Sequence, residues 1–120
     1  ILYMSKYISL EHWPDVTVNY VGRPSSDEVA EFFGIMNLCF DIAEKKNEKF
    51  RWLFKFPETQ TPLAPVFSVR FIAWLVSNKA NLNKHLDYSI IYLQNPTWKK
   101  WIDFVLQSYT PVRPVEVEQL

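Results

Sequence analysis

Cysteine, glycine and histidine are all scarce in this sequence of 120 residues. The one cysteine, Cys39, cannot form an internal disulfide and lies in an apolar run, where cysteine behaves as a small hydrophobic residue. Because disulfides belong to oxidising compartments, we expect a reducing, cytoplasmic setting. The two glycines, Gly22 and Gly34, are too far apart to form a glycine-rich loop that binds phosphate.

Net charge and long apolar runs are also absent. Thirteen basic and thirteen acidic residues cancel, so no net field is present that would attract nucleic acid. No stretch approaches the roughly 18 uninterrupted apolar residues of a membrane span. Hydrophobic residues make up 48% of the chain and aromatic residues 17%, which is ample for a packed core. Length and composition together predict one soluble domain over residues 1–120.

The sequence offers few candidate catalytic residues, since His12 and His85 are its only histidines. A serine or cysteine nucleophile needs a nearby base and a third group that orients the base. His12 lies in a predicted turn and His85 in a polar connector, so both are predicted to be solvated loop histidines. Only a cluster of either histidine with Cys39 or a carboxylate would favour an enzyme. We therefore expect a noncatalytic protein.

Metal and cofactor sites have no signature in the sequence either. Structural and catalytic metal sites need several histidine, cysteine or carboxylate ligands at close spacing, and no such cluster occurs. Glu116 and Glu118 alternate on a predicted last strand, where an exposed polar edge explains them. We expect no metal and no cofactor.

The first half of the chain predicts two strands and one long helix. Residues 16–21 have strand composition, and the looser alternation in residues 2–10, followed by a turn, predicts an antiparallel partner. Ser25 and Glu28 form a capping box for a helix that ends near residues 44–47. The apolar surface of this helix extends beyond a single stripe, through Ile35, Leu38, Cys39 and Ile42. Such a helix is expected to be buried inside the monomer or, as the alternative, covered by another chain at an interface.

The second half predicts strands and helices in alternation. Residues 50–56 predict a central strand covered on both faces. A second helix is predicted up to about Asn78 from apolar residues at helical spacing: Val66, Val69, Ala73 and Val76. A polar connector over residues 79–84 leads to a strand at residues 88–93. A third helix begins after an Asn95 cap, and a short edge strand follows near Val115.

The predicted order is β-β-α-β-α-β-α-β. It indicates an α/β domain with a single mixed, mostly parallel sheet of four or five strands and three crossover helices. Helices on both faces of the sheet, or mostly on one face, would each satisfy this order.

In order and lengths, the chain resembles the STAS domain of anti-sigma-factor antagonists over nearly its whole length. The matching features are the strand ending at Gly22 before a capped helix, the strand at residues 51–56, the strand at residues 88–93 running into Asn95-Pro96-Thr97, and the terminal strand near Val115. The resemblance implies a STAS-like fold and a noncatalytic protein-interaction or scaffold domain, within a larger assembly or self-associating.

The resemblance breaks at the family's regulatory motif. Antagonists of that family carry an Asp-Ser-Gly-type motif after the strand equivalent to residues 51–56, and its serine is phosphorylated to break partner binding. Residues 57–65 contain no Asp-Ser pair and no glycine. Thr59, Thr61 and Ser68 are the only nearby hydroxyls, which argues against a phosphoserine switch at this position.

The same segment supplies the predicted partner-binding surface. Prolines pre-order a backbone and so lower the cost of binding, and apolar anchors follow them. The predicted partner-binding residues are Thr59, Thr61, Leu63, Val66, Phe67 and Ser68. A rigid crossover whose apolar residues tuck under the second helix is the alternative.

A second functional hypothesis follows from a related fold. The STAS fold is similar to the lipid-exchange domain of the CRAL-TRIO class, which implies binding of a lipid or another small apolar ligand. That class is longer and builds its pocket with extra helices, so a chain of 120 residues has little to spare for enclosing a ligand.

Overall fold

The computed structural model describes residues 7–19, 25–56, 65–94 and 96–119. Its elements, in chain order, are β1 (Ile8–His12), β2 (Asp15–Asn19), α1 (Ser26–Lys46), β3 (Phe50–Phe56), α2 (Pro65–Ser77), α3 (Lys79–His85), β4 (Leu86–Leu93), α4 (Pro96–Ser108) and β5 (Val115–Gln119). This confirms the predicted α/β class. The difference is that two helices, α2 and α3, form the crossover between β3 and β4.

The five strands form one mixed sheet in the order β1-β2-β3-β4-β5. β1 and β2 form an antiparallel hairpin, and the other three strand pairs are parallel. Every parallel crossover therefore moves to the next strand in the same direction. Because such crossovers are right-handed, their helices belong on the same face of the sheet.

The aromatic residues of β3 show that the helices share this face. Phe50 packs on Phe40 of α1, with ring centroids 6.0 Å apart. Further along the strand, Phe56 packs on Trp98 of α4, with ring centroids 4.6 Å apart. Residues 50, 52, 54 and 56 thus form the floor of the core, and the helices form its cover.

The prediction that β3 is covered on both faces was wrong. Arg51 and Leu53 are only half-buried and Lys55 is exposed, and no helix in the described part of the chain covers their side of the sheet. The cause is the one-directional strand order, which leaves β3 central in the sheet but covered on one side. On the open side, Arg51 Nε lies 2.7 Å from Asp15 Oδ1 of β2.

Helix α1 confirms both its predicted start and its predicted burial. Ser25 Oγ accepts a hydrogen bond from the Glu28 amide at 3.2 Å, and Glu28 Oε1 accepts one from the Ser25 amide at 3.0 Å. At the other end, Asn47 adopts the left-handed conformation that ends many helices. Ile35 and Cys39 are buried within the monomer, as expected, and the remaining extra apolar residues, Leu38 and Ile42, are half-buried.

The prediction of a polar connector over residues 79–84 was wrong, because these residues lie in α3. Leu82 and His85, three residues apart, are both buried, whereas Lys79 and Lys84 are exposed. Leu82 thus packs this short helix against the core. The other residues of α3 are mostly polar, so the helix lacks the repeated apolar spacing from which a helix is predicted.

Helix α2 is confirmed, but its apolar stripe faces outward. Val69 and Val76 are 63% and 58% exposed, and Ala73 between them is exposed as well. The inner face of the helix consists of a second set, in which Phe71 packs on Phe54 and Leu75 is buried. The helix therefore has apolar residues on two sides.

Candidate functional site

The predicted partner-binding residues lie at the margin of what the structure describes. Thr59, Thr61 and Leu63 are outside the described residues. Val66, Phe67 and Ser68 belong to the first turns of α2, where the structure describes the backbone alone. The predicted partner surface therefore stays a prediction.

His85 is not the solvated loop histidine that the sequence predicts. It is the buried last residue of α3, and its Nε2 lies 3.2 Å from Glu44 Oε2 of α1. Lys84 Nζ lies 3.0 Å from the same oxygen. The pKa of Glu44 is lowered, first by its hydrogen bond and charge attraction to Lys84 and then by His85. His12, by contrast, is exposed, as predicted, but it is the last residue of β1 and not part of a turn.

The His85–Glu44 pair lacks the third member that nucleophilic catalysis needs. Among the described residues, no hydroxyl or thiol is hydrogen-bonded to His85. Burial raises the pKa of the Cys39 thiol to about 12, which keeps it protonated at neutral pH and unreactive. The pair is a structural link between α1 and α3.

Residues 7–19, 25–56, 65–94 and 96–119 contain no group of three or more histidine, cysteine or carboxylate side chains placed to hold a metal ion. Within the same ranges, no helix has both the length and the apolar character needed to span a membrane.

A partly enclosed cavity of about 120 Å³ lies between the sheet and the helices. Its floor comes from β2, β3, β4 and β5, and its walls come from α1, α2, α3, α4 and the segment before β5. The lining is almost entirely apolar and rich in aromatic rings; among its members are Val29, Phe32, Phe54, Phe56, Phe71, Ile72, Leu75, Ile91, Trp101, Ile102 and Val105.

Few polar groups reach this cavity, and the charged ones are engaged elsewhere. Glu28 accepts the hydrogen bond from the Ser25 amide, and Arg113 Nε donates to the Asp87 carbonyl at 3.2 Å. Burial raises the pKa of Tyr109, also in the lining, so this residue is a neutral phenol at physiological pH. The cavity is suited to a neutral ligand.

The sequence predicts aromatic residues only as material for a packed core, and several of them line this cavity as well. Trp52 packs on Phe54 with ring centroids 5.4 Å apart, and Phe54 packs on Phe71 at 6.3 Å. The high aromatic content was the available signal. Protein interiors are close-packed with few voids, and the position of a gap between the rings depends on how the helices are placed over the sheet.

In comparisons with known proteins, no family model, no curated protein and no solved structure matches the chain. The STAS resemblance therefore stays an expectation from the order and lengths of the elements.

Proposed function

We propose that this domain binds a small, neutral, apolar molecule in the cavity between its sheet and its helices. The observation that carries the proposal is the cavity of about 120 Å³ with its nearly continuous apolar lining. A concave apolar pocket with a few polar groups is the usual form of a small-ligand site. Of the two hypotheses from the sequence, apolar ligand binding is the one that the described residues support better.

The size of the cavity limits the ligand. An apolar cavity of roughly 150 Å³ in another protein stays dry and binds benzene or xenon, whereas sites for drug-sized ligands span roughly 300–1,000 Å³. At about 120 Å³, the cavity here suits a single ring or a short branched chain. A long lipid of the CRAL-TRIO type would require the helices to move apart.

The proposed activity is binding without catalysis. The residues that could take part in catalysis lie outside the cavity, which supports binding without catalysis. Neither the His85–Glu44 pair nor Cys39 belongs to the cavity lining. The single buried thiol also supports a reducing, cytoplasmic setting as part of the proposal.

Toluene titration with a pair of neighbouring tryptophan substitutions tests the proposal. Leu75 is buried and lines the cavity, whereas Val76, the next residue of α2, is exposed. Leu75→Trp should place an indole in the cavity and weaken toluene binding by about tenfold or more, a loss of at least ~1.4 kcal/mol. Val76→Trp adds the same ring to the outer face and should leave binding unchanged. Amide chemical-shift perturbation gives the affinities.

Two results would count against the proposal. One is the absence of any shift with saturating toluene in the wild-type protein. The other is equal binding by both tryptophan variants, which would place the toluene elsewhere. Native mass spectrometry and solvent extraction of the purified protein give a separate test, because a resident ligand should leave with the solvent.

A protein-interaction role is the second candidate, and the outer face of α2 favours it. Val69, Ala73 and Val76 form an exposed apolar stripe on this helix, downstream of the predicted partner-binding residues. Contiguous exposed apolar residues mark interaction surfaces more often than isolated ones do. We expect self-association through this stripe.

Sedimentation velocity tests this second role. The wild-type protein should show a mass that rises with concentration, and a Val69→Lys/Val76→Lys double variant should stay monomeric. Ala30→Lys, on an exposed residue of α1, is the control and should behave as wild type. A wild-type protein that is monomeric at high concentration would exclude self-association. Leu63→Asp and Phe67→Asp extend the test to the predicted partner-binding residues.

A further inference from the structure

Strand β5 forms one edge of the sheet. It pairs with β4 on one side, and no strand in the described part of the chain lies beyond it on the other. Every second residue of an edge strand turns its amide and carbonyl groups away from the sheet, where another strand can pair with them. The opposite edge strand, β1, has a register shift between Ser9 and His12, whereas β5 pairs without one. β5 is therefore the more regular of the two edges.

The side chains of β5 differ between its two faces. Val117 pairs with the buried Ile91 of β4 and so lies on the helix side of the sheet, where it is 41% exposed. Glu116 and Glu118, the residues before and after it, lie on the opposite, open side of the sheet. A strand added beside β5 would thus meet an apolar side chain on one face and two carboxylates on the other.

The two carboxylates have no cation of their own. Neither Glu116 nor Glu118 forms an ion pair with another described residue. Lys55 of β3 lies in the same row on the open side, since Lys55 pairs with Tyr92 and Tyr92 pairs with Glu118. It is two strands away, however, which separates the two backbones by about 9–10 Å. The charges of both glutamates therefore remain available to a partner at the edge.

A second copy of β5 does not suit this edge. When two strands pair, side chains on the same face become cross-strand neighbours, so the glutamates of one β5 would face the glutamates of the other. Like charges directly opposite each other destabilise a strand pair, whereas opposite charges stabilise it. The edge therefore favours a strand that carries basic residues at alternate positions, with apolar residues between them beside Val117.

We propose that β5 binds an extended segment of a partner protein in which lysine or arginine alternates with apolar residues, and that this segment adds to the sheet beside β5. Main-chain hydrogen bonds supply the affinity in this mode of recognition, and alternate side chains supply the specificity. Many proteins protect a strand edge with lysine. Glutamates at this edge instead repel acidic strands, including a second β5, and attract a basic one. The proposal is independent of ligand binding in the cavity.

Three short peptides test this proposal on the wild-type protein. The first alternates lysine and valine, the second has the same composition as a block of lysines followed by a block of valines, and the third alternates glutamate and valine. Amide chemical shifts of the protein give both the affinities and the location of binding. We expect the alternating lysine peptide to shift the β5 amides and to bind at least about tenfold more tightly than either other peptide. Hydrogen exchange of the outer β5 amides should slow when it binds.

A charge-reversal variant gives the complementary test. Glu116→Lys/Glu118→Lys should bind the alternating lysine peptide at least about tenfold more weakly than wild type, and it should bind the glutamate peptide in its place. Glu31→Lys/Asp41→Lys, at two exposed carboxylates of α1, makes the same change in net charge and is the control. It should keep the peptide preference of the wild-type protein.

Four results would overturn the proposal. The first is the absence of any β5 shift with the alternating lysine peptide. The second is equal binding of the alternating and block peptides, which would show unspecific attraction of a basic chain. The third is equal weakening in the charge-reversal and control variants. The fourth is a shift of the β5 amides with protein concentration alone, which would mean that a second copy occupies the edge.

Discussion

Glu44 of α1 joins His85 at the end of α3 through one carboxylate oxygen, at 3.2 Å from His85 Nε2. Lys84 Nζ approaches the same oxygen at 3.0 Å. The shared oxygen thus links the C-terminal end of α3 to α1, just before β4 begins. The carboxylate itself is largely exposed, which limits what each contact contributes.

The lowered pKa of Glu44 predicts a pH-dependent contribution to stability. Because Lys84 first, and His85 after it, favour the ionised carboxylate in the folded chain, the contribution is present above the ordinary pKa of 4.5. It is lost as the pH falls below 4.5 and through the lower folded pKa. Urea unfolding of wild type and Glu44→Gln should therefore differ at neutral pH and converge in acid. Glu31→Gln, at an exposed carboxylate of the same helix, is the control. A difference that persists unchanged in acid would contradict the prediction.

The capping box at the start of α1 predicts a local loss of stability. Ser25→Ala removes the hydroxyl that accepts from the Glu28 amide and should destabilise the fold by about 1 kcal/mol. Ser26→Ala, one residue further along, alters an exposed serine inside the helix and should change the unfolding free energy by less than about 0.5 kcal/mol. Chemical denaturation of the two variants measures both effects, and equal losses would show that the cap contributes nothing.

The sequence predicts the elements that local signals determine, and it misses those that depend on tertiary contacts. The start of α1 and the bounds of β3 are predictable because a capping box and a proline-ended aromatic run are encoded within a few residues. Helix α3 is not, since the burial of Leu82 depends on distant partners. The cavity is not predictable from the sequence either, because its position depends on how the helices pack on the β3 aromatic rings.

Apolar periodicity predicts helix α2 but does not predict which of its sides faces the core. Two apolar stripes compete on this helix, and their spacing alone does not indicate that Leu75 faces inward and Val76 outward. Leu75→Ala should cost about 2–5 kcal/mol, as buried leucines do, and Val76→Ala should cost less than about 0.5 kcal/mol. Thermal or urea unfolding of the two single variants measures this. The reverse ranking would mean that the helix is rotated about its axis.

The Cys39 thiol should be chemically silent in the folded protein. It is fully buried, and its pKa of about 12 leaves almost no thiolate at neutral pH. An aromatic disulfide reagent should therefore react with the native chain only at the rate at which the chain unfolds, and at once in denaturant. Stopped-flow absorbance with increasing urea gives both rates. Rapid reaction of the native protein, independent of urea, would show that the core around α1 opens locally.

High pressure provides a test of the cavity that involves no ligand. Pressure favours the unfolded chain because unfolding eliminates internal voids, and the volume change scales with the void that is lost. A cavity of about 120 Å³ should make the wild-type protein pressure-sensitive, and Leu75→Trp should reduce the volume change of unfolding by partly filling it. Val76→Trp, which adds the same ring outside, should leave the volume change as in wild type. Tryptophan fluorescence under pressure follows the transition, with each variant calibrated against its own unfolded state. If Leu75→Trp and Val76→Trp show the same volume change as wild type, the space between the sheet and α2 is already filled in solution, and the ligand would have to bind elsewhere.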